Sequence, residues 1–300
     1  MKAKILFLGS KSFGYSTVEK IIESRKFEVC GIITCEDRSD VRSAYDRFDR
    51  LARAEGVSFV VLGKGGNLKE HLDRLEPDLC LVVGWYWILP DHLLTQIKFG
   101  FVGIHNSILP RFRGGSPLVW SIIDGGETVG YSIFQLSGGV DEGGIFYQEQ
   151  VNFDENDSIG EALFRIERSV VQNISTVIEK ICMGTIKPKQ QGVESLSYCM
   201  PRRESDGEIN WHQRSDKVHD FIRAQAEPYP GAFTWLKGKK VRVLKTRKID
   251  VKYYGAVGQV SYNNQGLPVV ICADGTALLL EKYRSSSCVT FGVIFGDEEL

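Results

Sequence analysis

The sequence predicts an α/β chain: a Rossmann-like, mostly parallel sheet wrapped by helices, followed by a small OB-like β-barrel. Three observations carry this reading. Strand-like and helix-like segments alternate through roughly the first hundred residues, the pattern of a parallel sheet with helical crossovers. The runs at 4–9 (KILFLG) and 78–84 (DLCLVVG) are almost continuously apolar, as in strands buried on both faces. After position 203 the texture changes to five short strand-like runs separated by turn signals, which is how a small barrel reads.

The elements follow in order. After the first strand, 15–24 has helical spacing and 27–34 reads as a second strand. A mixed-charge helix at 46–56 leads to a short strand at 58–62. A helix around 67–75, the strand at 78–84, a short helix around 91–97 and a strand at 101–104 complete the alternation. Pro117 opens a helix running through Trp120, and 131–135 is a further strand. The stretch 158–183 is a long amphipathic helix, with Ser158 and Glu161 spaced as a capping box. The polar stretch 184–203 separates it from the remainder and reads as a linker. The division expected is therefore a first, sheet-and-helix domain at 1–184, a linker at 185–203 and a barrel domain at 204–300. The last part opens with a helix at 215–224. Strands follow at 232–236, 241–246, 256–262, 268–273 and 277–281, with 263–266 and Asp274-Gly275 as the clearest turns.

Composition narrows the function. Lys plus Arg number 37 against 38 Asp plus Glu, a net charge of −1, so no global basic field recruits nucleic acid or membrane. The seven cysteines form no CxxC pair and no zinc-like cluster with histidine, which suits free thiols in a reducing cytosol. No apolar stretch reaches the ~18 residues of a membrane span, and the apolar run at the start is too short for a signal peptide. A cytoplasmic protein without a metal is the expectation. Gly9 and Gly14 lack the three-glycine dinucleotide spacing, and no phosphate-binding GxxxxGK[ST] loop occurs.

The informative block is 100–150. A strand delivers His105, the chain turns at Leu109-Pro110, and Arg111 to Gly115 follow. A second strand ends in the Gly-rich loop 137–144, which holds Asp141. A His and an Asp at two strand ends can pair, the carboxylate orienting the imidazole. On spacing alone, a histidine at a strand end also reads as a structural or solvated residue, and an Asp in such a loop as a turn former.

The run HNSILPRFRG, with the Asp of VDEGG 36 positions after the His, resembles the signature of the folate-dependent formyltransferases. In the second part, ESDGEINW and FIRAQAEPYPGAFTWLKGKKVRV are similar to the C-terminal region of the methionyl-tRNA enzymes of that family. They are closer still to the domain that formylates UDP-4-amino-4-deoxyarabinose. The resemblance covers nearly the whole chain. It implies N10-formyltetrahydrofolate as donor, a primary amine as acceptor and direct attack without metal or acyl-enzyme. A protonated His105, held by Asp141, is then one donor to the oxyanion, and Asp141 or a water it orders takes the proton the amine sheds. It also implies a folate site on Trp85, Tyr86, Ile88 and Leu89 and on Gly138, Gly139 and Val140. Acceptor contacts are implied for Ser10, Lys11, Phe13, Ser107, Arg113 and Gly114.

One position departs from the family pattern Asn-x-His, because Gly103 stands where the Asn belongs. Residues i and i+2 of a strand share a face, so nothing polar sits beside His105. Asn106 faces away unless the chain turns there, in which case it substitutes as donor; the alternative is that it caps the turn. Gly103→Asn is expected to restore the missing group and raise turnover.

Charge distinguishes the acceptors. Binding tRNA phosphates needs clustered Lys and Arg, yet 36–50, where the tRNA enzymes insert a basic loop, has four Arg against five Asp and Glu. The segment 237–252 is the counter-signal, with eight bases and one acid, although its alternation also fits a solvated strand. A nucleotide-linked amino sugar is the leading reading, methionyl-tRNA the second and a folate-binding homologue with impaired catalysis the third. The oligomeric state stays open, a homodimer included.

Overall fold

The computed structural model describes residues 2–296. In chain order the elements are β1 (Lys4–Gly9), α1 (Lys11–Glu23), β2 (Glu28–Thr34), α2 (Tyr45–Glu55), β3 (Ser58–Val61), α3 (Leu68–Leu75), β4 (Leu79–Val83), α4 (Asp91–Leu94), β5 (Phe101–His105), β6 (Arg113–Gly114), α5 (Pro117–Ile123), β7 (Gly130–Gln135), β8 (Ile145–Gln150), α6 (Ile159–Cys182) and β9 (Tyr198–Cys199). A 3₁₀ turn at Glu204–Gly207 and α7 (Ser215–Arg223) precede β10 (Ala232–Leu236), β11 (Lys239–Ile249), β12 (Val260–Tyr262), β13 (Pro268–Ile271) and β14 (Ala277–Arg284). They form two compact units. The first comprises 2–114, 130–151 and 164–198; the second comprises 115–129, 152–163 and 199 onward. The stretch expected as a linker therefore divides, 185–198 belonging to the first unit and 199–203 to the second.

The first unit holds a seven-stranded sheet in the order β3-β2-β1-β4-β5-β7-β8. β1 to β5 run parallel, while β7 and β8 are antiparallel additions. Ile5, Leu6, Phe7 and Leu8 have no exposed surface, which explains the continuous apolar run of β1. Leu6 and Leu8 pack with Leu68, Leu72, Leu89 and Leu93 on one face. Phe7 meets Phe48 of α2 on the other, ring centroids 5.6 Å apart. Each such side chain contributes about 1.5–3 kcal/mol by leaving water. β8 had no signal in the sequence: its residues are all half-buried or exposed, without clean alternation. Register places Gly103 opposite Phe134 and His105 opposite Ser132.

The second unit is an antiparallel half-barrel in the order β10-β11-β14-β13-β12, with α5 and α7 packed together in the same unit. Its core gathers Trp211, Val218, Ile222, Val241, Val243, Val270 and Leu278. Val241 and Val243 are fully buried while Lys240 is exposed, the alternation that the sequence showed. Of the expected capping box one arm forms: the Ser158 N–H donates to the Glu161 carboxylate at 2.8 Å, and the Ser158 hydroxyl donates to the same carboxylate. No helix among the described residues is long and apolar enough to cross a membrane.

Candidate active site

His105 is the last residue of β5, and the Asp141 loop follows β7, the next strand in the sheet. The two side chains meet, His105 Nδ1 lying 3.5 Å from Asp141 Oδ2. His105 is buried, at 8% exposure, and its Nε2–H donates to the Phe112 carbonyl at 2.8 Å. That bond sets the tautomer and leaves Nδ1 facing the carboxylate; a proton there makes the contact charge-assisted. Asp141 Oδ2 also accepts from the Gly114 N–H at 2.8 Å. Both contacts fall on Oδ2, leaving Oδ1 without a donor among the described residues.

The chain between His105 and Gly114 is held by side chains of β7 and β8. Ser132 Oγ donates to the Ser107 carbonyl and accepts from the Leu109 N–H, at 2.6 and 3.0 Å. Gln148 Nε2 donates to the Leu109 carbonyl and to Ser132 Oγ, both at 2.8 Å. Ser107 is fully buried and its hydroxyl donates to the Arg111 carbonyl at 2.7 Å. It thus shapes the turn rather than reaching a substrate, as the sequence reading had it. The Leu109-Pro110 peptide is cis.

Gly103 lies in extended backbone, and a Cβ built there stands 3.0 Å from Phe134 Cε1 and 3.3 Å from Leu136 Cδ1. The space expected to await an Asn is filled by the Phe134 ring, which also lies edge-on to His105 with centroids 6.2 Å apart. The glycine is the cross-strand partner of a large aromatic side chain. Asn106, the next residue, is half-buried and its Oδ1 is buried without a hydrogen-bond partner among the described residues. It does not cap the turn.

Asp141 has φ +50, a left-handed conformation that costs a residue with a Cβ about 1–2 kcal/mol. Gln191, from the stretch read as linker, counters this by donating from Nε2 to the carbonyls of Asp141 and Gly143 at 2.7 and 2.8 Å. Gly143 is glycine for a local reason: a Cβ there would lie 1.7 Å from the Gln135 carbonyl oxygen. Arg113 is buried, and its Nε and Nη2 both donate to Gln191 Oε1, at 3.0 and 2.8 Å. Its Nη1 donates to Tyr198 Oη at 3.3 Å. The role of an open phosphate contact, expected from the sequence, does not fit that burial.

The two loops expected to hold folate are present. Ile88 is 85% exposed and Val140 and Tyr86 are exposed, while Leu89 packs into the core. Trp85 and Trp87 meet edge to face at 5.1 Å, and Trp85 Nε1 is buried with no acceptor among the described residues. Gly138 runs against the Asp91 carboxylate and Gly139 against that of Glu142, so close that a Cβ would collide. In the first loop, Ser10 is fully buried and its hydroxyl donates to the Gly84 carbonyl at 2.5 Å, which ties the β1 loop to the β4 loop. Phe13 is half-buried. Lys11 Nζ lies 4.7 Å from the centre of the Tyr86 ring. Burial, then the Arg42 charge, lowers the Lys11 ammonium from its ordinary pKa. Burial, then Asp37 and Asp40, pushes the Tyr86 phenol up to about 12. Sequence reasoning missed this grouping because Lys11, the segment 37–42 and Tyr86 lie far apart along the chain.

The chain matches the formyl transferase family over residues 3–178 and the C-terminal domain of formyl transferase over 202–290. It belongs to the formyl transferase family, and its reaction class is formyl transfer. It is 29% identical to the methionyl-tRNA formyltransferase of Bacillus velezensis over 286 residues, 94% of this chain and 90% of that protein. It is 28% identical to the enzyme of that name from Fusobacterium nucleatum, over 92% and 90% of the two chains. Among solved structures, the N-formyltransferase of Helicobacter canadensis, in complex with folinic acid and dTDP-3-aminofucose, superposes with a TM-score of 0.69 at 16% identity, covering 93% and 99% of the chains. The methionyl-tRNA formyltransferase of Clostridium thermocellum gives 0.58 at 18%, covering 97% and 100%.

Proposed function

We propose that this chain transfers the formyl group of N10-formyltetrahydrofolate to the primary amine of a nucleotide-linked amino sugar. The observation that carries the choice of acceptor is how its positive charge is used. In 36–50, Arg38 pairs with Glu36 and Asp46, and Arg42 with Asp40. On β11, Lys240 and Arg242 pair with Glu204, Lys245 and Arg247 with Glu281, and Lys248 with Glu155. Arginines and lysines neutralised in this way do not form the open basic surface that phosphate binding along tRNA demands.

The folate fits the residues present. Exposed Ile88, Tyr86 and Val140 offer faces to a flat heterocycle, and the orphaned Trp85 N–H and the loop main chain offer donors. Bound there, the folate would supply the formyl carbon: the acceptor amine forms the new C–N bond as the C–N10 bond breaks, and the proton the amine sheds is passed on to N10 as tetrahydrofolate leaves. His105 keeps Asp141 in place through Nδ1, and Asp141 Oδ1 takes the proton the amine sheds. Donation from His105 to the formyl oxygen exchanges the Phe112 carbonyl for that oxygen at Nε2, a step that puts positive charge where negative charge develops. Asn106, whose amide is pinned by no bond to the described residues, is the second donor. Lys11 in the β1 loop, its Nζ over the Tyr86 ring, is the acceptor-side contact.

The second reading, methionyl-tRNA as acceptor, is favoured by the names of the sequence relatives. The test supplies N10-formyltetrahydrofolate with a panel of nucleotide-linked 3- and 4-amino sugars, and with methionyl-tRNA as competitor. Transfer to an amino sugar at kcat/KM above that for methionyl-tRNA is the expected result; transfer to tRNA alone overturns it.

A further inference from the structure

We infer that Gln191 is a positioning residue that holds the His105–Asp141 pair by clamping the Asp141 loop to the Arg113 segment. The inference rests on the reading of that pair as the reacting centre. Gln191 uses every hydrogen-bonding site of its carboxamide. Its two N–H groups go to the Asp141 and Gly143 carbonyls, and its oxygen takes two N–H groups from Arg113. The orientation of the amide follows from chemistry alone: carbonyls only accept and a guanidinium only donates, so Oε1 must face Arg113.

Both arms of the clamp end at the pair. The loop arm holds the backbone of Asp141 itself, a residue in left-handed conformation that needs outside support. The other arm holds Arg113, which lies between the two backbone groups that fix the side chains. The carbonyl of the preceding residue, Phe112, orients His105 Nε2, and the N–H of the next, Gly114, binds Asp141 Oδ2. Further support comes from Ser197 in the same stretch as Gln191: its carbonyl accepts from the Arg113 N–H and its Oγ from the Phe112 N–H, both at 2.9 Å. A polar segment that looks like a spacer in the sequence therefore sets the separation of histidine and carboxylate.

Two variants separate the arms. Gln191→Glu keeps the acceptor for Arg113 but turns a carboxylate oxygen toward two carbonyls, so the loop arm is lost. Gln191→Met keeps the length of the side chain and loses both arms. Misplacing a reacting group by about an ångström costs ~10- to 100-fold in rate. Each variant is expected to unfold cooperatively, to lose ~10- to 100-fold in kcat and to keep KM for folate and acceptor within ~3-fold. NMR of the imidazoles gives a second readout independent of turnover. The His105 ring signals, assigned by their loss in His105→Asn, should be displaced in Gln191→Glu in the same direction as in Asp141→Asn. Wild-type kcat with undisturbed His105 signals in the folded variants overturns the inference. Failure of both variants to fold assigns Gln191 to the fold and overturns it as well. If the wild type formylates none of the acceptors, the reaction reading falls, and the His105 signals alone decide the role of Gln191.

Discussion

Gly103→Asn separates a reading by family pattern from a reading by structure. By pattern the substitution restores a missing donor next to His105 and speeds the reaction. By structure the place is taken. The new Cβ meets Phe134 Cε1 at 3.0 Å, Leu136 Cδ1 at 3.3 Å and Phe134 Cζ at 3.4 Å, against ordinary carbon contacts of about 3.5–4.0 Å. Phe134 is 3% exposed, so its ring has little room to retreat. Overpacking of this kind costs about 1–3 kcal/mol, or a fall of about 2–12 °C in melting temperature at the 2–4 °C per kcal/mol usual for chains of 150–250 residues. Because the ring lies edge-on to His105, its displacement also disturbs the imidazole, so kcat should stay at or below the wild-type value. Thermal unfolding and steady-state transfer measure the two effects. The double variant Gly103→Asn/Phe134→Val, which opens the space, should recover most of the lost stability. A single variant as stable as wild type and tenfold faster would refute the claim that Phe134 occupies the donor position.

Asn106→Ala should lower kcat by ~10²–10³ as the loss of one donor to the developing charge. It should change stability by no more than about 1 kcal/mol, since no hydrogen bond to the described residues is broken; unchanged kcat removes Asn106 from the reaction. His105→Asn and Asp141→Asn should each reduce transfer by ~10²–10⁴ in cooperatively folding protein, and near-normal turnover in either would refute the pair. In the second unit, His219 is buried, its Nδ1 accepting from Thr246 Oγ1 and its Nε2–H donating to the Glu155 carbonyl, both at 2.9 Å. Burial, with the Arg223 and Lys248 charges and against Asp220, holds its pKa below the ordinary 6.5. The unfolded chain therefore binds the proton more readily, so this stability is complete above pH ~6.5 and lost as pH falls below it, by up to ~1.4 kcal/mol per pH unit. Urea unfolding at pH 7.5 and 5.5 should show a smaller drop in His219→Asn than in wild type; equal drops would show that His219 carries none of it.

Local chemistry made much of the molecule legible in its sequence. The strands β1 and β4 announce themselves because a strand buried on both faces must be apolar almost throughout. The start of α6 is marked by Ser158 and Glu161, whose contact depends on three-residue spacing alone. The alternation of Val241 and Val243 with Lys240 and Arg242 likewise follows from the pleat. His105 ends β5 and Asp141 lies in the loop after the neighbouring strand β7. It was the resemblance of HNSILPRFRG and VDEGG to the formyltransferase signature that paired them, since spacing alone also fits a structural histidine and a turn-forming Asp.

What the sequence could not determine is which polar group meets which across long separations. Ser10, Ser107 and Arg113 looked like ligand contacts, but the fold gives each an internal partner: Gly84, Arg111 and Gln191. Gln191 looked like part of a spacer, yet it lies 50 positions from Asp141 and 78 from Arg113 and bonds to both. Gly103 looked like a vacancy because register, which sets Phe134 opposite it, is a property of two strands and not of either alone. Hydrogen bonds and packing contacts at such distances leave no periodicity and no local spacing to read; only the folded sheet and its loops bring the partners within 3 Å of one another.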